Sequence, residues 1–130
     1  MSGYFWVAVG GALGSMARYW MTGFVAMLAG PEFPWGTILI NILGSAVIGF
    51  FGTFTGPEGN VTVPADARLF VMVGLCGGFT TFSSFSLQTL NLARGGEFLS
   101  AGWNIAVSVV VCLLAVWIGH VAAAGLNAAR

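Results

Sequence analysis

Apolar positions fall in four long blocks, about 4–28, 36–54, 67–92 and 98–121, and polar positions collect in the short joints between them. Each block reaches the length of roughly 20 residues that a helix needs to cross a hydrocarbon core about 30 Å thick. The pattern predicts an all-α integral membrane protein, with four transmembrane helices in one domain covering residues 1–130. The joints agree. Gly30-Pro31-Glu32-Phe33-Pro34 reads as a tight turn, and Trp35 marks the membrane interface where the second span begins. Residues 55–66, TGPEGNVTVPAD, carry two prolines and two glycines and cannot continue a helix, while Pro64 and Asp66 suit the start of the third span. Arg94-Gly95-Gly96-Glu97 makes the last turn.

Inside the blocks the polar residues keep helical spacing. Thr37, Asn41 and Ser45 repeat every four residues in the second block, as do Ser100, Asn104, Ser108 and Cys112 in the fourth, so each span carries one polar stripe. Such stripes either glue helices together or line a conduit. Gly10, Gly14 and Arg18 share a face of the first block, where glycines mean close helix packing and a lone arginine faces a bundle interior or a watery vestibule. The densest polar stretch is in the third block. From Gly74 to Ser86 it holds three glycines, five Ser/Thr hydroxyls and three phenyl rings. An unsatisfied polar group costs roughly 2–7 kcal/mol away from water, so this cluster survives only if buried in protein or lining a cavity. The paired Gly77-Gly78 predicts that the third helix is broken near Gly77–Thr80, freeing carbonyls for another partner. Beyond the break Phe82 and Phe85 share one face, and Thr81, Ser84 and Gln88 follow at i, i+3 and i+7 beside them.

Composition narrows the chemistry. The chain is 58% hydrophobic and 6% charged, with no lysine, which leaves no room for a soluble domain. The first block has no basic leader and holds Arg18 in its body, so it reads as a span rather than a signal peptide. Cys76 and Cys112 fall within spans at no metal-binding spacing and are expected to be free thiols, and His120 stands alone as a packing or interfacial residue. All four acids lie in joints. A proton-coupled exporter needs a carboxylate inside the membrane, and side-chain acid rings conduct cations, so neither chemistry is supplied. Hydroxyl and amide N–H groups together with phenyl edges suit a small anion instead. Arg68 and Arg130 on one side of the four-span topology barely outweigh Arg94 on the other, which allows insertion in both orientations and hence an antiparallel two-fold dimer.

The run Gly77-Gly78-Phe79-Thr80-Thr81-Phe82-Ser83-Ser84-Phe85-Ser86, with Trp35-Gly36-Thr37 leading to Asn41, resembles the Fluc (CrcB) family of fluoride channels, and the likeness covers essentially the whole chain. The resemblance implies an antiparallel dual-topology homodimer with two pores and passive fluoride export through the plasma (inner) membrane. It matches Phe82 and Phe85 to the rings whose edges face fluoride, Asn41 to a pore asparagine, Ser108 to a polar-track position and Arg18 to the vestibule. It also implies a structural sodium ion at the dimer interface, held by the backbone carbonyls of Gly77 and Thr80 from both subunits. Thr37, Thr81, Ser84, Gln88, Asn104 and Cys112 complete the expected pathway. Three of them depart from the family, which often carries glutamate where Gln88 stands and hydroxyls where Asn104 and Cys112 stand. The expected partners are fluoride, a second copy and the bilayer, with no nucleic acid and no enzymatic activity. Two other readings remain at this point: a small proton-coupled multidrug-type exporter, and a packing subunit whose stripes only hold helices together.

Overall fold

The computed structural model describes all 130 residues, and every regular element in it is helical. α1 covers Ser2–Ala29 and α2 Trp35–Phe54. The third rod is composite: α3 (Ala65–Arg68) runs into a π-helical segment, Leu69–Cys76, then α4 (Gly77–Phe79), and after an interruption α5 (Phe82–Arg94). α6 covers Phe98–Ala128, so it continues well past the predicted end at 121. The turns after α1 and after α5 each use a glycine with positive φ, Gly30 at 84° and Gly96 at 82°, a conformation other residues adopt only under strain.

Three helical rods are long and apolar enough to cross a membrane: Trp35–Phe54, the composite Ala65–Arg94 and Phe98–Ala128. α1, at 28 residues, has the length. Its glycines, tyrosines and Arg18 dilute its apolar character, so length and composition establish three membrane-capable helices rather than the predicted four. Only 18 of 130 residues are buried, and large apolar side chains such as Leu113, Trp117 and Ile118 stand more than half exposed. A water-soluble protein would expose no such belt, whereas lipid covers it without cost.

Two helix pairs make the fold. α1 lies against the third rod along a glycine seam in which a methyl group on Gly10 would come within 2.5 Å of the Phe70 carbonyl oxygen, and one on Gly78 within 2.6 Å of the Gly11 oxygen. Backbones this close gain dispersion contacts that side chains would prevent. α2 and α6 pair in the same way, with Gly49 against Val116 and Gly119 against Ala46 and Phe50. Both pairs are parallel. Contacts advance together from Gly3 with Leu69 to Gly14 with Leu75 in one, and from Gly49 with Val116 to Thr53 with His120 in the other. A parallel pair needs the intervening helix to travel the full height back, which fits α2 and the third rod each traversing the bundle.

The long joint between α2 and α3 closes one end. Arg68 Nη1 donates to the Thr55 carbonyl at 2.8 Å. The Asn60 side-chain amide donates to the Asn127 carbonyl, and Asn127 Nδ2 donates to that of Thr53 at 3.3 Å. Thr53 Oγ1 also lies 2.8 Å from Nδ1 of His120, which is otherwise exposed at this end.

Candidate functional site

The interruption in the third rod falls at Thr80 and Thr81, not at the paired glycines. Gly77 keeps helical angles, φ −63° and ψ −37°, whereas Thr80 (−89°, 158°) and Thr81 (−154°, 115°) are extended. The expectation that Gly77-Gly78 itself breaks the helix is therefore corrected. Gly78 stays helical because its missing side chain admits α1, and Arg18 Nε donates to its carbonyl at 3.0 Å. The break comes where a competing partner exists. Asn41 on α2 accepts from the Thr81 N–H at 2.8 Å through Oδ1 and donates to the Thr81 carbonyl at 3.1 Å through Nδ2. One amide thus pairs both backbone groups of an extended residue, as a neighbouring strand would.

The four carbonyls from Gly77 to Thr80 lose their helical donors at the break, and only that of Gly78 is taken up, by Arg18. The Thr81 N–H that would have closed the turn onto Gly77 turns to Asn41, and the Ser84 N–H that would have reached Thr80 caps α5 on Thr81 Oγ1 at 3.1 Å. Thr80 itself folds back, with both N–H (3.0 Å) and Oγ1 (2.8 Å) donating to Cys76. Gly44, three residues after Asn41, leaves room for the Thr80 methyl group.

A cleft of 420 Å³ opens beside the break. Asn41 and Ser45 of α2, Thr81, Phe82 and Phe85 around the break, and Ser108 and Cys112 of α6 all line it, with Gly77 and Thr80 on the same wall. The cleft contains no acid or base. Its polar groups are amide, hydroxyl, thiol and backbone, and its apolar ones include two phenyl rings with centroids 5.2 Å apart and planes tilted by 50°. Phe85 is 8% exposed while Phe82 is 75% exposed, so one ring is clamped and the other stands at the open edge.

The remaining predicted residues lie elsewhere. Thr37 is buried between helices, and Asn104 is 1% exposed with Nδ2 donating to Thr89 Oγ1 at 2.9 Å. Each stripe is therefore half cleft lining and half helix packing. Ser84 and Gln88 are half-buried outside the cleft, Gln88 with a buried Oε1 that no donor meets, and Arg18 braces the break from behind. Sequence reasoning did not single out Gly44, Ile48, Met72, Val109 or Leu113, which line the cleft and carry no signal beyond small or apolar character. It also missed Thr89, the partner of Asn104, which follows Phe85 by one helical turn on the ring stripe.

Comparison with known proteins agrees over nearly the full chain. Residues 5–120 match the family described as CrcB-like protein, Camphor Resistance (CrcB). A protein of Methylocella silvestris named fluoride-specific ion channel FluC is 66% identical over 124 residues, 95% of each chain. Proteins of the same name from Opitutus terrae and Rhodospirillum rubrum are 57% identical over 130 residues and 60% identical over 124, covering 100% and 95% of this chain and 98% and 96% of their own.

Proposed function

The chain belongs to the CrcB-like protein family, and on that premise we propose that it is a passive, fluoride-selective channel that lets fluoride leave the cytoplasm through the plasma (inner) membrane. The observation that carries this reading is the cleft at the Thr80-Thr81 break, whose polar lining is entirely uncharged. Fluoride is small and strongly hydrated, so a path must return the hydrogen bonds that water gave up without trapping the ion on a fixed cation. Asn41, Thr81, Ser108 and Cys112 supply donors, and Phe82 and Phe85 offer ring edges that carry the positive end of the quadrupole. Thr37, Ser84, Gln88 and Asn104 extend the polar stripes away from the cleft, and Arg18 draws anions toward the vestibule. A membrane potential of −100 mV, negative inside, is worth about 2.3 kcal/mol per charge, an outward bias of roughly 50-fold that needs no coupled proton.

One chain leaves the cleft with a missing wall, since Phe82 is 75% exposed. A second copy, inserted antiparallel, supplies it, and two-fold symmetry then yields two equivalent pores. α1 serves as a fourth span, which its parallel run along the third rod supports. The Gly77 and Thr80 carbonyls, freed from helical bonding, are hard oxygen donors of the kind that suits sodium. They would hold it at the interface with their counterparts from the second copy, and the ion there offsets the carbonyl dipoles of the broken helices.

The purified protein in liposomes loaded with potassium fluoride or potassium chloride, with potassium permeability supplied by an ionophore and no pH gradient, tests the reading. Fluoride is expected to leave and chloride to stay. Retention of both anions, or fluoride movement only under an imposed pH gradient, overturns it.

A further inference from the structure

Asn104 is the most enclosed polar side chain of the molecule, 1% exposed, and it lies outside the cleft. Its hydrogen bonds run in one fixed sense. Thr89 Oγ1 donates its only proton to the Phe85 carbonyl at 2.8 Å and keeps lone pairs alone to offer. Asn104 Nδ2 donates to that oxygen at 2.9 Å, which turns the amide nitrogen toward α5 and leaves Oδ1 for Ser108, one turn further along α6. An amide oxygen only accepts, so Ser108 Oγ is the donor across the 3.3 Å between them. Ser108 lines the cleft. A hydroxyl beside the anion path therefore has its single proton engaged by Asn104.

Resting on the channel reading, we propose that Asn104 is a specificity-determining residue that acts through Ser108, its amide oxygen holding a proton that only a strong acceptor can win. Fluoride is the strongest hydrogen-bond acceptor among the halides and displaces an amide carbonyl from a hydroxyl. Chloride, larger and a weaker acceptor, leaves the Ser108 proton on Asn104 and meets oxygen lone pairs instead. The 3.3 Å separation is long for an O–H···O bond, so the hold is weak enough for fluoride to break. Asn104 touches no anion, which makes it a positioning residue. Thr89 orients it in turn.

The test is the ratio of fluoride to chloride efflux from liposomes. Asn104→Ala frees the Ser108 proton and is expected to lower that ratio about two- to tenfold, the span of one net hydrogen bond, with the chloride rate rising. In a Ser108→Ala background the same substitution should leave the ratio unchanged, because the proton it acts through is gone. Thr89→Val keeps the shape, releases the Asn104 amide to turn its nitrogen toward Ser108, and should lower the ratio in the same direction by less. It decides the matter if Asn104→Ala does not fold. An unchanged ratio in a folded variant, or an equal fall with Ser108 absent, overturns the proposal. A wild-type protein that passes no fluoride defeats the channel reading instead, so the two failures are distinct.

Discussion

Gly77-Gly78 and Thr80-Thr81 sit within one turn of each other on the third rod and do opposite things. The glycines, free to adopt almost any backbone angle, stay helical, while the threonines, β-branched and stiff, are extended. The difference teaches that in a membrane interior conformational freedom does not break a helix. A helix opens where its backbone groups find other partners, and here the partner is one asparagine on a neighbouring helix. Gly78 serves the approach of α1, and Asn41 serves the break.

The largest effect that sharpens this contrast comes from filling the seam. Gly14→Leu or Gly78→Leu drives a side chain into backbone of the facing helix, the Leu75 carbonyl or the Gly11 carbonyl. Overpacking of this kind typically costs about 1–3 kcal/mol or more, and with backbone on both sides we expect loss of folded protein, read by gel filtration in detergent. Asn41→Leu comes next. It leaves the Thr81 N–H and carbonyl without partners, at about 1–3 kcal/mol each, and is expected to lower the melting temperature and to speed amide exchange at residues 80–82. Protection unchanged at those amides would detach the break from Asn41. His120→Ala removes a single bond to Thr53 at the far end of the bundle and should cost about 1 kcal/mol with fluoride efflux intact. The smallest change is Gly77→Ala, whose methyl group meets nothing within 4 Å in this chain. Helical content by circular dichroism should not move. A gain of helix across residues 80–81 would assign the break to the glycines after all.

Much of this architecture was legible in the sequence because period and composition act locally. The positions of α2 and the third rod, the start of α6 and the glycine face of α1 follow from spacing, and both glycine turns from their turn residues, whereas α6 runs seven residues beyond the expected 121 to Ala128. The exact place of the break was not legible, because it depends on Asn41, forty residues away in the chain, meeting Thr81. The polar stripes were read correctly as stripes, yet which half of each faces the cleft depends on where α5 crosses α6, and Thr37 and Asn104 fell on the packed side. The unequal exposure of Phe82 and Phe85 had no signal in the sequence.

The claim at the centre of this account is that uncharged donors and phenyl edges beside the Thr80-Thr81 break carry the anion. Fluoride efflux from liposomes holding Phe82→Ile or Phe85→Ile, each first verified as folded by its melting temperature, tests it most directly. The account predicts that both substitutions cut the rate by at least about tenfold, the loss of roughly 1.4 kcal/mol of stabilisation along the path. Wild-type rates in both folded variants would contradict it.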